Sequence, residues 1–154
     1  MYNNILVPLD GSPLAECVLP HVESIAQGCK AKKVTFIRVV EPFYLPTGGE
    51  YSFSDKERQR LEAQQVAEAQ IYIDKLVSKL KYEGAKIQTK VIQGRVADSL
   101  VEYAEKNGVD LVIIATHGRS GISRWVWGSV ADRVLRSSCV PVLMVRAPGC
   151  FPGF

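Results

Sequence analysis

Two runs in this chain, Ile5-Leu6-Val7 and Leu111-Val112-Ile113-Ile114, are apolar at consecutive positions, with no alternation between a wet and a dry side. Side chains on a strand point to opposite faces in turn, so a strand with one solvated face alternates. A strand that is apolar on both faces must be covered on both, and this is the situation in the middle of a parallel sheet. Parallel neighbours need a crossover between them, and the segments separating the apolar runs have helical periodicity. Strand and helix therefore alternate, which predicts right-handed crossovers and a three-layer α/β/α sandwich.

Taken in order, Asn4 to Leu9 is the first predicted strand, with Pro8 tolerable near its C-terminal end. Asp10-Gly11-Ser12-Pro13 turns the chain, with Ser12 as N-cap and Pro13 at the first helical position. Leu14, Val18, Val22 and Ile25 form one helical face, and Gly28 is expected to close that helix. Lys33 to Val40 is a second, β-branched strand. Glu41 to Ser54 has no periodicity and reads equally as a contact loop and as an insertion whose aromatics pack locally. Asp55 to Glu83 is a long helix with a stripe at Leu61, Val66, Ala69, Ile73, Leu76, Val77 and Leu80. Ala85 to Ile92 alternates and belongs toward a sheet edge. A third helix covers Gly94 to Asn107, and Val109 to Ala115 is a central fourth strand. A fourth helix follows from Val130, and Val140 to Arg146 is the fifth strand with Pro141 at its start. Residues 147–154 read as a tail after one domain, 1–146. The five-stranded parallel sheet is expected in the order 3-2-1-4-5.

Composition narrows the function. A formal charge of +3 is too small to argue for nucleic acid or an anionic membrane. No apolar run approaches a membrane span, and Met1-Tyr-Asn-Asn leads into a strand, so a cytoplasmic location is expected. Cys17, Cys29, Cys139 and Cys150 form no CxxC pair and have no ligand-like spacing to His21 or His117. Buried thiols are expected, without disulfide or zinc site, except at Cys150, which the Gly/Pro tail leaves open to exposure and oxidation.

Ligands in such sheets sit beyond the carboxyl ends of the strands, where the winding reverses. With this strand order the reversal falls between the first and fourth strands. Leu9-Asp10-Gly11 and Ala115-Thr116-His117-Gly118 end those strands, and Val39-Val40-Glu41 ends the second. Between Ala115 and Ser129 stand Gly118, Gly121, Gly128 and the arginines Arg119 and Arg124. Glycines let backbone N–H groups turn inward to form a nest for anionic oxygens, and Gly128-Ser129 lies where a helix begins. On composition alone this stretch reads as readily as an ordinary polar strand-to-helix turn. No GxxxxGK[ST] occurs and no GxGxxG follows the first strand, which argues against a P-loop motor or a hydride-transfer dehydrogenase.

At these residues the chain resembles the universal stress protein family, over essentially Asn4 to Arg146. The ATP-binding members carry G-x2-G-x9-G-[ST]; the matching run here is Ala115-x2-Gly118-x9-Gly128-Ser129, with alanine in place of the first glycine. Residues 4–12, Asn-Ile-Leu-Val-Pro-Leu-Asp-Gly-Ser, match the opening strand and its acidic residue, and residues 139–145 resemble the closing strand. The resemblance implies an adenine nucleotide α-hydrolase-like fold and a cytoplasmic stress-response protein that binds ATP, with Mg2+ as a companion of the phosphates. By the same analogy Asp10 sits against ribose and adenine, Val39 offers its backbone to the adenine edge, and Gly118, Gly121, Gly128 and Ser129 hold the phosphates. Pro8, Leu9, Ala115, Thr116, His117, Arg119 and Val130 complete the expected nucleotide-binding set. It further implies a homodimer, whose seam is expected along the apolar edge strand at residues 140–146.

Three functions stay open at this point. The first is a regulatory protein whose loop order or partner choice follows ATP occupancy. The second is a slow ATPase or self-phosphorylating enzyme, in which Asp10 or His117 positions water or accepts a proton. The third is a nucleotide-free dimeric scaffold, a reading that gains weight from Ala115.

Overall fold

The computed structural model describes residues 1–42, 54–80, 82, 84–116 and 129–146. The expectations for loop residues 43–53, for 117–128 with the glycine-rich stretch, and for the tail at 147–154 with Cys150 lie outside the described residues.

Five parallel strands, β1 (Asn4–Pro8), β2 (Lys33–Val40), β3 (Lys86–Gln93), β4 (Leu111–Ala115) and β5 (Val142–Val145), form one sheet in the order β3-β2-β1-β4-β5. The helices are α1 (Leu19–Cys29), α2 (Asp55–Val77), α3 (Val96–Lys106) and α4 (Ser129–Ser137). Strand parity sorts the core into two layers. Ile5, Val7, Val34, Phe36, Leu111 and Ile113 face α1 and α2 and meet Val18, Val22 and Ile73. Leu6, Ile37, Val112 and Ile114 face α3 and α4 and meet Ala97, Leu100, Ala131 and Val134. The two continuous apolar runs are thus the strands covered on both sides. β3, which alternates, is an edge, as is β5.

Several element ends differ from the sequence reading, each for a local reason. Ser12 does act as a cap, its hydroxyl accepting the Ala15 N–H at 3.2 Å, but a 3-10 turn (Ala15–Val18) precedes α1. Pro20 explains the delay, because a proline ring clashes with the carbonyl four residues back and an α-helix cannot include both Glu16 and Pro20. Gly28 does not close α1. Lys30 takes the left-handed conformation (φ 53°, ψ 48°), and Ala31 N–H reaches back to Ala26 O at 2.8 Å while Lys30 N–H bonds Gln27 O at 3.1 Å. That pair of bonds is a Schellman motif, seated by Ala26 and Ala31 in the core.

Helix α2 opens with a capping box: the Ser54 hydroxyl accepts the Glu57 N–H, and the Glu57 carboxylate accepts the Ser54 N–H. It stops at Val77 instead of continuing to Glu83. Lys79 N–H and Leu80 N–H turn back to Leu76 O and Val77 O, and the tighter turns bring Leu80 and Tyr82 onto the core layer beside Phe36. A continued helix would carry Tyr82 away from the sheet.

The cysteine expectation is corrected: Cys17 and Cys29 are half-buried and Cys139 is exposed. Cys29 stands in the last turn of α1 and Cys139 in the turn entering β5, where no layer covers them. No helix among the described residues is long and apolar enough to cross a membrane.

Candidate functional site

β1 pairs with β2 along its whole length, from Asn4↔Lys33 to Pro8↔Ile37, but with β4 only at Ile5↔Leu111 and Leu6↔Val112. Pro8 accounts for the difference. Leu9 N–H donates to Ile37 O of β2 at 2.9 Å, and successive nitrogens on a strand face alternate neighbours. The nitrogen of residue 8 therefore faces β4, and as proline it has no hydrogen to donate. Beyond Leu6 the two strands part, while β4 keeps its pairing to β5 through Ala115↔Val145 and on to Thr116 N–H···O Val145 at 2.9 Å.

The parted ends open a cleft of about 550 Å³ at the carboxyl edge of the sheet. Its floor at β1 is a rigid turn: the Asp10 carboxylate accepts both the N–H (2.9 Å) and the hydroxyl (2.7 Å) of Ser12, and Gly11 between them has φ +87°. Such a φ is strained for any residue with a Cβ.

Of the residues singled out by sequence, Pro8, Leu9, Asp10, Val39, Ala115, Thr116, Ser129 and Val130 all line this one cleft. They arrive from β1, β2, β4 and the first turn of α4, elements far apart in the chain. Ala115 and Thr116 are buried, Asp10 is half-buried and Ser129 is exposed. His117, Gly118, Arg119, Gly121 and Gly128 lie outside the described residues. On the α3/α4 side the wall is apolar, with Val96, Leu100, Ile114 and Ala131.

On the other side, sequence placed only Glu41, at the end of the second strand. Arg38 and Glu41 of the second strand's end, and Gln65 and Glu68 of α2, also line the cleft. Arg38 carried a readable signal: it shares parity with the fully buried Val34 and Phe36, so a charge there breaks the core pattern of β2. Gln65 and Glu68 lie a turn or so before Ala69 and Tyr72 on the inward stripe of α2, where the helix has run past the sheet. The guanidinium of Arg38 lies 5.3 Å over the Tyr72 ring, and the Tyr72 hydroxyl donates to Glu16 at 2.8 Å. Burial, then the bond to Glu16, holds the Tyr72 phenol well above the ordinary tyrosine range, so it stays a neutral donor.

A cleft with an apolar wall, a polar wall and a helix start at its end is suited to a ligand that is part flat and apolar, part anionic. Among the described residues no three His, Cys, Asp or Glu side chains converge as a metal site.

A model of the universal stress protein family matches residues 1–146 of the chain. The chain belongs to that family. Universal stress protein MJ0531 of Methanocaldococcus jannaschii is 34% identical to it over 151 residues, covering 96% of this chain and 84% of that protein. The solved structure of the family member MJ0577, from the same organism, has a TM-score of 0.80 at 27% identity and covers 97% of this chain and 99% of that one. The universal stress protein of Archaeoglobus fulgidus in complex with dAMP shares the fold, with a TM-score of 0.55 at 23% identity over 93% of this chain and 97% of that one.

Proposed function

We propose that this family member binds an adenine nucleotide, ATP, in the cleft between β1 and β4 and works as a nucleotide-dependent regulatory protein of the stress response. The observation that carries this reading is the parting of β1 and β4 beyond Leu6, which gathers Pro8, Leu9, Asp10, Val39, Ala115, Thr116, Ser129 and Val130 around one cavity. Support comes also from the dAMP complex of the fold neighbour.

On this reading the base lies against Val39 and the apolar wall, and Asp10 meets the ribose. The phosphates lie toward Ser129, Val130 and the glycine-rich stretch with His117, Gly118, Arg119, Gly121 and Gly128. The first N–H groups of a helix have no partner within it, and those at the start of α4 favour that negative charge. Mg2+ enters on the phosphates, with Asp10 one of the carboxylates at the crevice. Residues 1–146 form the binding unit and 147–154 a tail. The protein is cytoplasmic, and the apolar edge at 140–146 joins two copies in a homodimer.

The deciding experiment is calorimetric titration of the full chain with ATP and Mg2+, followed in parallel by tryptophan fluorescence, since Trp125 and Trp127 lie in the glycine-rich stretch. Saturable heat and a fluorescence change support the reading; a flat titration in both refutes it. Phosphate release under excess ATP, compared with Asp10→Ala, separates a binder from a slow ATPase. A nucleotide-free scaffold is the second reading, favoured by one observation: Ala115, 9% exposed, puts a methyl group on the cleft wall where the family's ATP-binding motif has glycine.

A further inference from the structure

The described lining of the cleft carries three carboxylates, on Asp10, Glu41 and Glu68, against a single cation, Arg38. A phosphorylated ligand entering there meets repulsion that only Arg38 offsets from this wall. The way Arg38 is held is informative. A Cβ built on Gly11 would lie 2.9, 3.0 and 3.1 Å from Nη1, Cζ and Nη2, so the flat of the guanidinium rests on the glycine backbone. Tyr72 stands beside it as a cation–π partner. Stacking fixes the plane of the group and leaves its N–H donors at the edges, and among the described residues none of them has a hydrogen-bond acceptor. The side chain is half-buried on a strand whose neighbours on the same parity, Val34 and Phe36, are wholly buried. Its donors are therefore available to an acceptor that enters the cleft.

We infer that Arg38 is a ligand-contacting residue whose guanidinium fork takes an anionic oxygen of the molecule in the cleft. On the proposed nucleotide reading, on which this inference rests, that oxygen belongs to a phosphate. The planar fork matches phosphate geometry in a way that an ammonium group does not. Gly11 and Tyr72 act as positioning residues, the first by leaving room for the fork and the second by supporting it.

The test is calorimetry on the full chain with adenosine, AMP and ATP, for the wild type, Arg38→Met, Arg38→Lys and Tyr72→Leu. Arg38→Met is expected to weaken AMP and ATP about tenfold or more, as loss of a charge-assisted bond implies, with adenosine within about twofold. Arg38→Lys is expected to recover part of that loss, because charge returns without the fork. Tyr72→Leu, which removes the ring under the guanidinium, is expected to show the same ranking as Arg38→Met with a smaller loss. Equal losses for adenosine and the phosphorylated ligands, or no loss at all, overturn the assignment while leaving nucleotide binding standing. A wild type that binds none of the three removes the nucleotide reading itself.

Discussion

Replacing Gly28 with alanine separates two accounts of how α1 ends. If Gly28 closed the helix in a left-handed conformation, as the sequence pattern indicates, a Cβ there would cost about 1–2 kcal/mol. In the structure Gly28 lies inside α1, a Cβ would meet nothing within 4 Å, and the left-handed position belongs to the exposed Lys30 at φ 53°. Gly28→Ala then removes backbone freedom from the unfolded chain and is expected to gain about 0.5–1 kcal/mol. Lys30→Gly relieves the strained conformation and takes no side chain out of the core, and after the glycine entropy is counted it is expected to gain about 0.5 kcal/mol. Together the two changes are expected to raise Tm by roughly 2–6 °C for a domain of this size. Urea unfolding read by far-UV circular dichroism measures this directly, the midpoint moving up with the slope m unchanged. A lower midpoint for Gly28→Ala, or for Lys30→Gly, would refute the helix end described here.

Three further outcomes are expected. Burial, helped by the Glu23 carboxylate, pushes the Tyr82 phenol up to about 12 from 10, so the folded state keeps its proton longer than the unfolded chain. Stability is therefore expected to be intact below pH 10 and to fall as pH rises from about 10 to 12, with Tyr82→Phe flattening that fall in alkaline denaturation curves. Gly94→Ala is expected to destabilise, since a Cβ at φ +152° runs into the Ser99 hydroxyl, and the added change Ser99→Ala should recover part of the loss in the same unfolding assay. The Glu57 carboxyl sits below its ordinary value because the Ser54 N–H, then the Ser54 hydroxyl, hydrogen-bond it. This bonding supports the start of α2 above the ordinary carboxylate range and is lost as pH falls through the lowered value. In Ser54→Ala an NMR titration of Glu57 should move upward, and a titration unchanged from wild type would refute the capping box.

What the sequence disclosed, and what it did not, follows from the range of the interactions involved. Ile5-Leu6-Val7 and Leu111 to Ile114 had to be covered on both faces, which puts β1 and β4 inside the sheet, and the alternation of Ile87, Thr89 and Val91 puts β3 toward an edge. The cleft residues on strand ends were equally legible, because the reversal in winding fixes where Asp10, Val39 and Ala115 meet. Element ends set by local contests were not. Nothing in the composition of Lys30 marks it as left-handed, and the stripe through Leu80 continues past the point where Tyr82 leaves α2 for the core. Leu61, counted with the buried stripe, is 36% exposed because the first turns of α2 overhang the sheet. That same overhang puts Gln65 and Glu68 at the cleft, a placement no periodicity could supply. Arg38 was detectable as a charge of core parity.

Pro8 leaves one consequence for how this molecule can change. A mouth maintained by packing can be sealed gradually, as bulkier side chains drift into the gap. Here the opening is kept by a covalent ring that deletes one peptide hydrogen, so repacking the layers above and below cannot zip the central strand to its neighbour. Only an exchange at that one position would restore the missing donor.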